Sequence, residues 1–287
     1  MKKMKKLLGL LLALTMTASL AACGGKEEAP AQPEQAPSQE APQTPANDDW
    51  AYIEGNGKMK IGFTYFEPMN YMDDKGEFVG FETEFAEAVC EKLGVEPEFV
   101  EINWDSKVME LGSKNIDCIW NGMTITPELQ EALTISDPYI KNYQVVVIRA
   151  DQADAYPDTA SLAGKTVEAE AGSAGEAAIA ADENLSQATY ISVTKQTDAL
   201  LEVKTGAADA AVMDFVLANA MVGQGDYSDL MVIPDLELSV EEYGIGFRKD
   251  STAAEKVNAA MQELVEDGTL NALAEKYGLA ELLLANQ

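Results

Sequence analysis

Strand and helix periodicities alternate along residues 57–287 of this chain, which predicts an α/β protein built as two lobes. Two further observations point the same way. The roughly 230 residues involved exceed the usual length of one domain. One segment also recurs: Glu110-Leu-Gly-Ser-Lys-Asn-Ile-Asp-Cys-Ile-Trp120 aligns with Glu202-Val-Lys-Thr-Gly-Ala-Ala-Asp-Ala-Ala-Val212. Each copy is a helix end, a Gly-bearing turn, an Asp and an apolar strand. The residues leaving the two strands are Asn121-Gly122 and Met213-Asp214. Open α/β sheets bind ligands outside the carboxyl ends of their strands, so a cleft with Gly122 and Asp214 on opposite walls is expected.

The elements follow in order. Lys58 to Phe63 reads as a strand, and Phe81, Phe85, Val89 and Leu93 form the apolar stripe of a helix that stops at Gly94. Glu98 to Ile102 is a second strand, Asp105 to Leu111 a short helix, and Ile116 to Trp120 a buried strand with Trp120 as core. Thr126-Pro127-Glu128 starts a helix, with Thr as N-cap and Pro in the first turn. Val145 to Ile148 is the next strand. The second half repeats the pattern with Lys165 to Ala169, a helix after Gly172-Ser173, Thr189 to Ser192, a helix from Thr197, Ala210 to Met213, and Met231 to Ile233. A strand from Tyr243 to Arg248 and helices Thr252 to Glu266 and Thr269 to Tyr277 close the chain. Such alternation implies mostly parallel sheets covered on both faces.

The N-terminus is of another kind. Lys2, Lys3, Lys5 and Lys6 precede an apolar run from Leu7 to Leu14 and small residues ending Leu20-Ala21-Ala22-Cys23. A basic start, a short apolar run and small residues read as a secretory signal over 1–22, too short to span a membrane. The Leu-Ala-Ala-Cys ending resembles a bacterial lipobox, which implies that Cys23 is lipidated and becomes the first mature residue. From Gly24 to Asp49 the chain is Ala, Pro, Gln and Glu, with Pro30, Pro33, Pro37, Pro42 and Pro45. That composition cannot bury enough surface to offset its ordering entropy. Residues 23–56 are therefore expected to be a lipidated Cys and a disordered stalk, at roughly 3 Å per residue where Pro-rich.

Composition excludes several functions. Loss of the signal removes four lysines and no acid, taking the formal charge from −29 to −33. That balance argues against nucleic acid, which needs a basic patch. The chain has no histidine, which removes His-based triads and most zinc sites, and no cofactor is expected. No Gly-x-x-x-x-Gly-Lys-Ser/Thr stretch is present for ATP. Cys90 and Cys118 sit in apolar contexts and are expected as buried free thiols.

Several short motifs occur in one order: Gly80-Phe81-Glu82 after a Lys75-Gly76-Glu77 turn, Ile116-Asp117, Gly122-Met-Thr-Ile-Thr-Pro-Glu128, Ser136-Asp-Pro-Tyr139, Gly172-Ser173, Ala208-Asp-Ala-Ala-Val-Met-Asp214 and Tyr243-Gly-Ile-Gly-Phe-Arg248. Together, over about Met59 to Leu279, they resemble the bacterial extracellular solute-binding proteins of family 3, the polar amino-acid receptors of ABC importers. The resemblance implies a periplasmic-binding-protein-like (type II) fold, with residues 57–140 plus 244–287 as lobe 1 and 141–243 as lobe 2. Two hinge crossovers would fall near Ile140 to Tyr143 and Glu241 to Tyr243.

It also implies a site. Phe66 and Trp104 would sandwich the ligand's side chain, although Phe66 could be core. Gly122 and Thr124 would offer a carbonyl, an amide and a hydroxyl. Ser173 would cap the ligand from a helix N-terminus, which a plain N-cap role would also explain, and Glu170 would lie near it. Asp214 would hold an ammonium group, serve as a helix N-cap, or do both. One departure matters: directly after Thr-Pro-Glu, where the family places a carboxylate-gripping arginine, this chain has Leu129. Losing one partner of a desolvated charge pair costs about 2–5 kcal/mol, and a helix terminus returns only about 0.3–2 kcal/mol. The ligand is thus expected to be a small amino-acid-like solute, or a cationic amine lacking the α-carboxylate and held by Asp214, Glu170 and the aromatic pair. The partner implied is a membrane permease with a separate ATPase, served by a lipid-anchored monomer on the outer face of the membrane. An enzyme on the same fold, with Glu170 as general acid or base, is the rival reading; no nucleophile–base pair is visible. A sensor module would need a spanning helix after Leu279, whereas this sequence runs only to Gln287.

Overall fold

The computed structural model describes residues 48–287, so the signal segment, Cys23 and most of the expected stalk lie outside the described residues. The described chain opens with α1 (Asp49–Asn56), β1 (Lys58–Phe63), the hairpin β2 (Tyr71–Met72) and β3 (Phe78–Val79), α2 (Phe81–Leu93) and β4 (Glu96–Glu101). Next come α3 (Lys107–Gly112), β5 (Cys118–Ile119), α4 (Pro127–Ala132), β6 (Leu133–Ile135) and β7 (Ile140–Arg149). The second lobe adds β8 (Thr166–Glu170), α5 (Ala174–Ala181), β9 (Thr189–Val193), α6 (Gln196–Thr205), β10 (Ala210–Asp214), α7 (Phe215–Met221) and β11 (Leu230–Val232). The chain returns through β12 (Val240–Tyr243) to β13 (Gly246–Arg248), α8 (Ala253–Glu266) and α9 (Thr269–Lys276).

Apart from the two-stranded β2–β3 hairpin, the strands form two sheets, one in the order β4-β1-β5-β13-β6 and the other β11-β7-β10-β8-β9 with β12 also on β7. Both are mixed, which corrects the expectation of mostly parallel pairing. β1 pairs in parallel with β4 and β5, and β8 with β9 and β10; β13 and β7 run antiparallel to all their partners. The reason is connectivity. A helical crossover returns a strand in parallel, whereas β7 and β13 arrive directly from the other lobe with no helix to reverse the chain. β7 is also longer than its apolar run: Ile140–Tyr143 pairs with β12, and the rest with β10 and β11. β7 and β12 thus lie side by side as the two crossovers. The strand expected from Tyr243 to Arg248 divides at Gly244-Ile245, because Tyr243 ends β12, which pairs with β7, whereas β13 pairs with β5 and β6.

A second correction concerns the stalk. Residues 49–56, expected as its end, form α1, which buries Trp50 and Ile53. Asp48 caps this helix by accepting from the Ala51 N–H, and the Trp50 N–H donates to Thr252 Oγ1 at 3.1 Å. Its partners lie some two hundred residues away, so nothing local announces it.

The internal repeat has a structural basis. Asp117 Oδ2 accepts the Lys60 N–H of β1 at 3.0 Å, and Asp209 Oδ2 accepts the Thr166 N–H of β8 at 2.9 Å. Each Asp pins the start of the central parallel pair of its sheet. Trp120, Cys90 and Cys118 are all buried, and both thiols are free. Among the described residues, no helix is long and apolar enough to cross a membrane.

Candidate functional site

A cavity of about 360 Å³ lies between the carboxyl ends of the strands of both sheets. Its walls bring together all seven residues expected there: Phe66, Trp104, Gly122 and Thr124 from one lobe, and Glu170, Ser173 and Asp214 from the other. Leu129 lines it too, and no arginine does.

Gly122 leaves β5 at φ +56°, and a Cβ there would sit 2.4 Å from Phe66 Cε1, so only glycine lets the loop pass behind that ring. Phe66 itself is buried against the core and faces the cavity, so both readings of it hold. The Gly122 N–H donates to both oxygens of Glu82, at 2.9 and 3.1 Å, and the Tyr139 hydroxyl donates to the same carboxylate. This spends the Gly122 amide, so the amide expected from Gly122 and Thr124 falls to Thr124. Burial pushes Glu82 up to about 7 against those hydrogen bonds. Three of the sequence motifs therefore meet at one buried carboxyl.

Thr124 can supply the missing amide. The Ile125 N–H donates to Glu242 O and the Gly244 N–H to Met123 O, which makes Thr124 and Tyr243 a non-hydrogen-bonded pair. The Thr124 N–H and C=O consequently point away from the ladder.

In the second lobe, Ser173 Oγ accepts the Glu176 N–H at 3.2 Å, so Ser173 is the N-cap of α5 and also lines the cavity. Asp214 occupies the N-cap position of α7 without capping it. The Val216 N–H of that helix donates instead to Asn142 Oδ1. Asp214 Oδ1 receives Asn142 Nδ2 at 2.6 Å, Gln144 Nε2 at 2.9 Å and the Tyr243 hydroxyl at 2.8 Å, and Oδ2 receives Gln196 Nε2. Asn142 and Gln144 also donate to Glu241 Oε1. Burial raises both carboxyls, and donors on the crossover strands tie Asp214 to the junction of the lobes.

Sequence reasoning missed Lys107. It falls in the short helix expected from Asp105 to Leu111, and it is 8 % exposed and lines the cavity. Its Nζ donates to Gly172 O across the cleft at 2.8 Å and to Trp104 O at 3.3 Å, and it lies 4.7 Å from the Trp104 ring centroid. The i, i+3 spacing from Trp104 on one helical face was the available signal. Burial holds this ammonium below the usual lysine range. Gln196, which also lines the cavity, had no local signal.

The profile of the bacterial extracellular solute-binding proteins, family 3, matches residues 59–280. The chain belongs to that family. Its relatives include the arginine-binding extracellular protein ArtP of Bacillus subtilis (strain 168), 28% identical over 97% of this chain and 100% of that one. A crystal structure of a mutant of ArgBP from T. maritima is 34% identical, covers 80% of this chain and 98% of its own, and superposes with a TM-score of 0.74. A histidine-bound substrate-binding protein of an ABC uptake transporter from Streptococcus pneumoniae is 31% identical, covers 80% and 96%, and gives a TM-score of 0.72. This family-3 protein is thus a two-lobed solute-binding protein related to receptors of ABC importers, and the relatives are named for binding, not for catalysis.

Proposed function

We propose that this family-3 protein is the receptor of an ABC importer for a small amino-acid-like solute bearing an amine. The observation that carries the reading is the cavity itself, lined from both lobes by two aromatic rings and a buried Asp214. A solute held there adds contacts to both lobes and draws them together. Phe66 and Trp104 cover its apolar part. Asp214, with a lone pair of Oδ2 still open beyond Gln196, takes its ammonium group. Thr124 and the N-terminal turn of α5 behind Ser173 offer backbone N–H groups to a carboxylate. The relatives named for arginine and histidine support an amino acid. Exported by residues 1–22 and anchored through Cys23, the protein works as a monomer at the outer face of the membrane, hands its solute to a permease, and catalyses no reaction.

A second reading rests on Leu129. With no guanidinium in the cavity wall, a cationic amine lacking the α-carboxylate forfeits nothing there. A thermal-shift screen of α-amino acids against their decarboxylated amines separates the two. A ligand at a thousandfold its Kd adds about 4 kcal/mol of stability. Shifts by amino acids alone support the first reading, and shifts by amines alone the second. If neither class moves the melting temperature, the receptor reading fails.

A further inference from the structure

Glu170 ends β8 on the wall of the cavity, 4 % exposed, with its Oε1 buried and without a hydrogen-bond partner. Asp214, by contrast, receives four donors. The charges that act on Glu170 are Asp214 of β10, Lys107 of α3 and Asp198 of α6; Asp105 and Glu176 of α5 act in turn on Lys107, and Glu168 stands two residues back on the strand of Glu170. Glu128 of α4 lines the same cavity. Only one of these is a cation, and the Lys107 ammonium is turned to the carbonyls of Gly172 and Trp104. A dry carboxylate beside Asp214, with Gln196 near it but no partner for Oε1, is costly, and a proton on Glu170 removes that cost.

On the receptor reading given above, we propose that Glu170 selects a ligand whose side chain ends in a cation: it stands as a neutral acid in the empty cleft, and it pairs as a carboxylate with that cation, its proton leaving to solvent. Charge balance favours this. Asp214 and Lys107, the two charges that act most on Glu170, offset each other while Glu170 is neutral, and a ligand cation offsets ionised Glu170 in turn. Burial, with Asp214 adding to it, pushes Glu170 up to about 8, so at pH 7 the neutral acid is the favoured form. A neutral side chain has no reason to expel the proton.

The test is calorimetric titration of the purified protein with L-arginine at pH 7, in buffers of different ionisation enthalpy. The expected result is release of close to one proton per L-arginine by the wild type and none by Glu170→Gln, whose affinity for L-arginine falls at least tenfold while that for L-glutamine does not. L-arginine binding with the same enthalpy in every buffer overturns the proposal and leaves the receptor reading standing. That arm needs only the wild type, so a poorly folding variant does not decide it. A ligand-free arm is independent of any solute. An acid whose folded-state value is raised contributes stability below its unfolded value of 4.5 and loses it as pH rises through about 8. The wild-type melting temperature should therefore fall relative to that of Glu170→Gln between pH 5 and 8. Parallel curves for the two proteins overturn the proposal. Failure of the receptor reading is read separately, from the amino-acid and amine screen.

Discussion

At the scale of single residues, the site is governed by which polar groups are already spent. The Gly122 amide belongs to Glu82, and three of the four donors to Asp214 converge on its Oδ1, so little of the obvious hydrogen-bonding capacity faces the cleft. Leu129 is the residue where one change should matter most. It is the third residue of α4, in the first turn, with its N–H on Thr126 Oγ1 and its side chain on the cavity. Leu129→Arg places a guanidinium where the resemblance expects one, and a bidentate fork on a desolvated carboxylate is worth about 2–5 kcal/mol. Titration calorimetry should show α-amino acids gaining some thirtyfold or more in affinity over their matched amines. Equal gains, or none, would mean that the carboxylate does not lie against α4. Gly122→Ala tests the Phe66 side of the same wall. Its Cβ would lie 2.4 Å from Phe66 Cε1 at a φ that costs about 1 kcal/mol for an L-residue, so both affinity and melting temperature should drop. An alanine protein that binds as tightly as the wild type would show that the Phe66 ring is no part of the site.

At the scale of elements, the Arg248 bracket shows how remote segments are joined. Its Nε donates to Asp49 of α1 at 2.8 and 3.0 Å and its Nη2 to Asp117 at 2.9 Å, while Nη1 takes the carbonyls of Leu111 and Ile116. All three charged groups are buried. Arg248→Met strands two carboxylates, a loss of about 3–5 kcal/mol, which for a chain of this size lowers the melting temperature by roughly 10 °C. A drop of a degree or two would show that α1 is not held this way. The same bracket explains what could be read in advance. Elements with their own periodicity and caps were legible: β1 and the span of α2 match to the residue, and Thr126 and Ser173 cap the helices they were expected to cap. Elements defined by distant partners were not. α1 depends on Arg248 and Thr252, β6 on β13, and the first half of β7 on β12. In the site, Gly122, Thr124, Ser173 and Asp214 stand in the motifs and Phe66, Trp104 and Glu170 follow from the resemblance, but the Gly122–Glu82 and Asp214–Asn142 bonds join residues 40 and 72 positions apart, beyond any local pattern.

At the scale of the molecule, the lobes touch across the cleft through contacts of two kinds. At the rim, Lys195 Nζ meets Glu101 Oε1 at 2.7 Å and lies 5.0 Å from the Tyr65 ring centroid, and both ion-pair side chains are partly exposed, at 31% and 47%. Inside, the buried Lys107 Nζ meets the O of half-buried Gly172 at 2.8 Å. An exposed pair contributes about 0–1 kcal/mol and is screened by salt, whereas a charged hydrogen bond out of water keeps its strength. Each stabilises the closed arrangement without contributing to the open one, so removing either lowers the closed population and, by the same factor, the apparent affinity. Lys195→Ala should therefore weaken solute binding about fivefold at most, and the effect should vanish in 1 M salt. Lys107→Met keeps most of the side-chain volume but leaves the Gly172 carbonyl without its donor, and should weaken binding tenfold or more at any salt. Small-angle scattering of the ligand-free variants should show a larger radius of gyration for Lys107→Met than for Lys195→Ala at high salt. If Lys107→Met closes and binds as the wild type does, Lys107 is only buried beside Trp104, and the lobes are held by the crossovers and the solute alone.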